Sequence, residues 1–492
     1  MREAQSLFRA IKTLFCIIAI LIVTLSFANP VLAQEVYWFP HTPLIDGDDV
    51  KGDNSAYDCP PPRAHLYKCM FHGYLYGHWN EEGSNTPDKR HEDDGKRIGG
   101  AITPRCPPSK PNCSDDEKQI VVVAVGFSNW TKEICADQGP GTYQLKTDPP
   151  DAAFCGGNPW SFYWKAHQSE DVNKHIVFVD CAYIGGIAWF WQNDQRPLSG
   201  MTKGMYSNCN DVLRAWPAYA GGPLDPSQVQ VVLIKTSDSG ERTSPNYPLI
   251  PLPHSQGKFT NCLSSSPFHA CILMGEIAQI TRNLFTPPPG DNYKPFNNVQ
   301  QVFVHSRISG AYAKPIHGES PLNPEPYAYE SGHAMKWLIQ AQVDDVNNPG
   351  SSSFPGPLDY NRHDAPWMDW GAYMWAADTR VPCENCPIPG TANIDHPPLT
   401  WVQETSAHEP LPFEFCESGQ QCDFQAVSGS GATQHPDNTH PSQCGRSKVA
   451  DEMMYFFCNS PYTVPWFTAS RAGCPHVQVP QNRCDERLLG PN

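Results

Sequence analysis

The run Ile120-Val121-Val122-Val123-Ala124-Val125 is apolar at every position and rich in β-branched side chains. A strand with one face in water alternates apolar and polar residues. A run without alternation fits a strand covered on both faces, as in a parallel sheet. Less pure runs recur at His175 to Val179, Val229 to Ile234 and Val299 to Val304. Cys271 to Leu284 and Glu330 to Val343 read as helices between and after them. Strands alternating with helices predict an α/β fold: a three-layer α/β/α arrangement around a mainly parallel sheet. Pro, Gly and Ser concentrate at 239–257, 287–295 and 347–357, which read as long loop insertions.

Ligands of such sheets bind at the carboxyl ends of the strands. Gly126-Phe127-Ser128-Asn129 follows the first run directly and so occupies that edge. Near the other end of the chain stands Asp437-Asn438-Thr439-His440-Pro441-Ser442. An Asp three residues before a His can reach one ring nitrogen across a tight turn, leaving the other for a serine hydroxyl. That hydroxyl is a weak nucleophile until a base is hydrogen-bonded to it. Ser128, His440 and Asp437 are therefore the candidate catalytic residues. Each motif also has a plain structural reading: Gly-x-Ser as a helix cap, the Asp/Asn/Thr/His/Pro cluster as a turn. Trp130 stands where a nucleophile elbow carries its second Gly. After the cluster, Met453, Met454, Phe456 and Phe457 can pack a helix behind His440. The segment from Val179 ends in Gly185-Gly186, where the backbone can approach a ligand and donate to an oxyanion, or simply turn.

Arg2, Arg9 and Lys12 precede an apolar stretch from Leu14 to about Phe27, followed by Val31-Leu32-Ala33. This reads as a signal peptide over 1–33, too short for a membrane span, and places the chain outside the cell or in its envelope. An uncleaved anchor is the rival reading. The remainder divides into an irregular, Cys- and Pro-rich extension (34–115), a main domain (116–468) and a tail (469–492). Within the extension, Glu81 to Arg97 reads as an exposed, mobile loop, and Asp46 to Asn54 as a solvated acidic turn. The net charge of −16 opposes nucleic acid as a partner. Of 19 cysteines, Cys16 lies in the signal. The even remainder in an exported chain favours disulfides, the Cys383-x-x-Cys386 pair included.

Several blocks recur in a set order: Gly126-Phe127-Ser128, Gly185-Gly186, Ser306-Arg307-Ile308, Asn323 to Gly332, Lys336-Trp337-Leu338-Ile339, Pro366 to Gly371, and Asp437 to Ala450. Together, over roughly 118 to 468, they resemble an exported branch of the SGNH (GDSL-like) hydrolase superfamily. The resemblance implies an SGNH/flavodoxin-like fold and ester cleavage through an acyl-serine intermediate. Ser128 would attack, His440 would act as base and then acid, and Asp437 would orient His440. The backbone N–H groups of Ser128 and Gly186 would hold the oxyanion, and no metal or organic cofactor would be required. Phe127 departs from the family's Gly-Asp-Ser. The family's Asn-bearing block is not evident either; Ile234-Lys235-Thr236-Ser237-Asp238 stands in its place, so the third oxyanion donor is open. Lys235 is a substitute donor or an ion-paired lysine. Asn129, Lys235 and Arg307 are candidate substrate contacts, with an ion pair as the alternative for Arg307. Glu325, Tyr329, Glu330 and Trp337 border the cleft or serve capping and packing. Trp367, Trp370, Tyr373 and Trp375 stack on sugar rings or pack the core.

These readings converge on an exported serine esterase acting on a small-molecule or carbohydrate ester. A catalytically inactive binding protein on the same fold is the alternative. A metal-dependent hydrolase is a weaker third, because no His-x-x-x-His or Asp-x-His spacing stands in a convincing place.

Overall fold

β1 (Ile120–Gly126) is buried at every position, as its composition demands. The computed structural model describes residues 75–77, 84, 86–135, 159–194, 197–198, 201–216, 222–238, 250, 252, 261–307, 327–349, 354–374, 376–377, 386–387, 395–396, 399–400, 424–428, 434–441 and 443–477. β1 is joined in one sheet by β2 (Ile176–Asp180), β3 (Val229–Lys235), β4 (Gln301–Val304) and β5 (Trp367–Trp370), in the order β2-β1-β3-β4-β5. Every pairing is parallel. The first four strands fall on the four apolar runs. β5 is an addition: its Trp-Met-Asp-Trp composition reads as aromatic density, and its Asp369 interrupts any apolar run.

The helices are α1 (Lys89–Ala101), α2 (Ser128–Ile134), α3 (Phe162–Gln168), α4 (Ala188–Trp191), α5 (Met205–Arg214), α6 (His269–Phe285), α7 (Tyr327–Asn347), α8 (Gln443–Asn459) and α9 (Val464–Phe467). A hairpin of β6 (Phe424–Ser428) and β7 (Gln434–Pro441) precedes α8. Side chains alternate across a strand, so even-numbered β1 residues face one layer and odd-numbered ones the other. Ile120, Val122 and Ala124 share a core with Phe178, Val231, Leu233, Phe303 and Trp367, closed by apolar residues of α1, α2, α3, α8 and α9. Phe457 of α8 stacks on Phe162 at 5.4 Å and meets Phe303 edge-on at 5.6 Å. Each such side chain contributes roughly 1.5–3 kcal/mol by burial. On the other side α6 packs against α7 and α4. The result is the three-layer α/β/α arrangement expected from the sequence.

The chain lays β2 on one side of β1 and then crosses to β3 on the other. At that reversal the connections leave the sheet edge in opposite directions, the place where sheets of this kind bind ligands. Ser128 lies two residues past the end of this strand.

The segment read as a mobile loop is in its second half a docked helix. Asp88 caps α1, its side chain accepting from the N–H groups of Arg90 and His91. His91, Gly95, Ile98 and Gly99 form its buried stripe, spaced as one helical face. Two of those four are glycines, so the stripe carries no hydrophobic signal, while the charged outer face dominates the composition. The His91 ring stacks on Trp367 at 5.0 Å, and the Trp367 indole N–H donates to the His91 carbonyl at 3.1 Å. Likewise the start of the presumed tail is docked. Ala469 N–H donates to Asp171 O at 2.8 Å, and Cys474 is bonded to Cys458. Further disulfides join Cys106 to Cys113, Cys181 to Cys209 and Cys262 to Cys271. The signal segment, Asp46 to Asn54 and Cys383 lie outside the described residues. Among the described residues no helix is long and apolar enough to cross a membrane.

The docking of α1 depends on its glycines. A Cβ at Gly99 would fall on the Tyr462 carbonyl oxygen, whereas one at Gly100 meets nothing within 4 Å. Gly99→Ala is expected to destabilise the protein by about 1–3 kcal/mol in urea unfolding. Gly100→Ala should be neutral or slightly stabilising, since Ala is the better helix former. Equal effects at the two positions would contradict this packing.

Candidate active site

β1 ends at Gly126, Phe127 is extended, and Ser128 opens α2. A Cβ at Gly126 would strike the Lys235 carbonyl, so the strand can finish beside β3 only with glycine there. Ser128 is 5 % exposed. His440 reaches it from the far end of the chain: its Nε2 lies 2.8 Å from Ser128 Oγ, across 312 residues of sequence. That distance is within the reach required of a general base.

The surroundings of His440 differ from the expected simple turn. β7 runs through Pro441 with Phe424 opposite Pro441 and Ala426 opposite Pro436. Asp437, Asn438, Thr439 and His440 thus stand opposite the single residue Gln425. A bulge of this kind breaks the strand's alternation and re-aims a side chain. The Asp437 side chain lies outside the described residues. Behind the bulge, Arg446 Nε donates to the Pro441 carbonyl at 2.8 Å. Lys165 of α3 ties α8 down, donating to Ser447 Oγ at 2.8 Å and pairing with Asp451 at 2.5 Å.

Gly186 is placed against Gly126, two residues before Ser128, and does not offer the amide expected of it. Its N–H donates to the Tyr183 carbonyl at 2.8 Å, closing a turn. A Cβ there would lie 2.7 Å from the Gly126 carbonyl oxygen, so what Gly186 approaches closely is β1 itself. Paired glycines reveal that a backbone can come close, not what it comes close to. The Gly126 carbonyl also accepts from Tyr183 N–H and the Trp191 indole, both at 3.1 Å. This carbonyl pins the β2 loop to the base of the nucleophile turn.

The three candidate substrate contacts are all buried. Asn129 is fully enclosed. Lys235 is an ion-paired lysine: its Nζ lies 2.5 Å from Glu133 Oε2, with both side chains fully buried, and 5.5 Å from the Trp130 ring centroid. Arg307 follows β4, and its N–H donates to Ser331 Oγ at 3.0 Å. Glu133 was not anticipated. Its signal was faint: Lys132-Glu133 sits between Trp130 and Ile134 in a helix too short to have a solvent face. Burial raises the Glu133 pKa and lowers that of Lys235, and their mutual attraction opposes both shifts. Asp180, at the end of β2, accepts from Thr131 Oγ1 of α2 at 2.5 Å and from Ala182 N–H at 2.9 Å. Burial pushes its carboxyl up to about 7 against those two donors.

Trp367, Trp370 and Tyr373 are buried in the core and present no surface for a sugar. Glu330 accepts from Leu252 N–H at 2.7 Å, and Trp337 stacks on His333 at 5.5 Å; both are buried and structural. Trp375, Glu325 and the Tyr329 side chain lie outside the described residues. No group of three or more His, Cys, Asp or Glu is arranged to hold a metal ion among the described residues. No family model matches this chain, and neither a curated protein nor a solved structure matches it. The SGNH resemblance therefore rests on its motifs.

Asp180 gives the site a pH signature. The folded protein keeps this proton to about pH 7, whereas a free carboxyl loses it near 3.8. The folded state binds more protons in that window, so this group's contribution makes stability fall as pH rises from about 4 to about 7, then level off. Asp180→Asn removes the contribution. Urea unfolding across that range should show a shallower decline in the variant, by the order of 1–4 kcal/mol in total. Parallel curves for the two proteins would show that Asp180 is charged throughout.

Proposed function

We propose that this chain is an exported serine hydrolase that cleaves a carboxylic ester. The reading is carried by one observation, the 2.8 Å contact between Ser128 Oγ and His440 Nε2 at the switch-point edge of the sheet. In this reading the Ser128 hydroxyl donates to His440. As Oγ bonds to the ester carbonyl carbon, His440 takes the proton and the carbonyl oxygen becomes an oxyanion. Collapse breaks the bond to the alcohol, which leaves with the proton from His440, and an acyl-serine remains. Water then attacks the acyl carbon and gives a proton to His440; the bond to Oγ breaks, Oγ takes that proton, and the acid and the restored serine are released. Asp437 orients the imidazole and stabilises its charged form. The Ser128 N–H, in the first turn of α2 where no intrahelical acceptor exists, is the proposed oxyanion donor. The substrate is a small or carbohydrate ester, and the chain is of the SGNH type.

A second reading is favoured by the Gly186 turn. The amide expected of Gly186 is engaged, and Lys235, the substitute for the open third donor, is held by Glu133. Each missing donor typically costs about 10²–10³ in rate. A binding protein on the same scaffold would tolerate the loss.

A fluorophosphonate separates the two, since an activated serine displaces its fluoride and keeps the phosphonyl group. Labelling of the mature protein followed by peptide mass spectrometry is expected to give one adduct, at Ser128. Ser128→Ala and heat-denatured protein should take none, and His440→Ala should slow labelling by roughly 10²–10⁴. A folded protein that takes no label would leave the binding role.

A further inference from the structure

We propose that the substrate of this site carries an anionic group of carboxylate or sulfate size, and that the Arg307 guanidinium receives it. This rests on the ester-hydrolase reading and narrows its substrate class.

Arg307 has no exposed surface, and none of its three guanidinium nitrogens has a hydrogen-bond partner among the described residues. A guanidinium stays charged at any pH a protein survives, so it cannot escape burial by losing a proton. A buried charge without a counter-ion is among the most costly features a fold can contain. Its backbone position is nonetheless secured. Ser331 Oγ accepts from the Arg307 N–H and its hydroxyl donates to the Ala328 carbonyl, both residues lying at the start of α7.

No charged neighbour is hydrogen-bonded to the guanidinium among the described residues. Glu133 feels the charge of Arg307, but its carboxylate is bonded to Lys235. Glu330 is turned elsewhere, to Leu252 N–H at 2.7 Å and toward His269 Nδ1 at 3.5 Å. Ser306, the residue before Arg307, also has a buried Oγ with no partner among the described residues, a second group able to serve an incoming anion.

Strand register relates Arg307 to the nucleophile. Gly126 pairs with Lys235, and Ile234 with Val304, so Ser128 and Arg307 both stand just past the same sheet edge. One strand, β3, separates theirs, which puts the two strand ends roughly 10 Å apart. Both groups thus belong to one edge of the sheet, and the two ester series below differ in how far the acid lies from the reacting carbonyl.

Two matched pairs of esters test the proposal and locate the anion. On the acyl side, p-nitrophenyl hemisuccinate is compared with p-nitrophenyl butyrate. On the alcohol side, p-acetoxybenzoate is compared with methyl p-acetoxybenzoate. In at least one pair the anionic ester should be preferred in kcat/KM by roughly 10- to 100-fold, the value of a charge-assisted hydrogen bond. Arg307→Gln should bring that ratio close to one, and Arg307→Lys should retain part of it. Turnover of the esters with no anionic preference in either pair overturns the proposal and leaves the hydrolase reading intact. If no ester is turned over and Ser128 takes no phosphonate, the hydrolase reading fails. Calorimetric titration with succinate then still decides on Arg307: saturable binding abolished in Arg307→Gln supports the anion site, and no saturable binding refutes it. Should Arg307→Gln not fold, the wild-type ratios and the wild-type titration decide alone.

Discussion

Both faces of β1 have to be kept from water, and the rest of the architecture answers that demand. Valines on both sides of the strand require a helical layer above and another below. Parallel neighbours supply this, because each crossover between parallel strands lays chain across a face of the sheet. Growth of the sheet in both directions from β1 then creates the switch point at its carboxyl end. The switch-point position of Ser128 is thus a consequence of burying the strand that leads to it.

Next to this apolar order lies an expensive polar one. Glu133, Lys235, Arg307 and Arg446 are all buried within reach of one another's fields. Replacing a buried ion pair by apolar residues is commonly neutral or stabilising, so stability does not account for such a cluster. Its members instead mark the parts that must be held in register. Glu133 is on the helix of Ser128, Lys235 ends the neighbouring strand, and Arg446 grips the carbonyl next to His440. The cluster spans the elements that bring a serine and a histidine from opposite ends of the chain to 2.8 Å.

Elements with strong local periodicity were legible. The four apolar runs became β1 to β4, and the helices α6 and α7 lie where apolar spacing placed them, each extended by a few residues. Elements whose burial is carried by unusual residues were not. α1 hides its inner face in Gly95 and Gly99, which pack because they are small, and so it reads as charged loop. β5 is built of tryptophans around a buried Asp369, whose carboxyl is pushed up to about 7 by burial, against the hydrogen bonds it accepts. At the site, the meeting of Ser128 and His440 was legible only from two motifs read together, each of them ordinary alone. Glu133 was not, since a lone acid on a short helix reads as surface.

What the sequence by itself determined was the presence of a doubly covered strand, the alternation around it, and a serine and a histidine placed at its edge and near the end of the chain. Those are properties of composition and period, which a chain carries before it folds. Tertiary structure alone decided the partners. It turned the Gly186 amide inward to Tyr183, gave Lys235 to Glu133, bulged the strand at His440 and left the Arg307 guanidinium without a described partner. A hydrogen bond is chosen by what arrives within 3 Å, and that depends on residues hundreds of positions away.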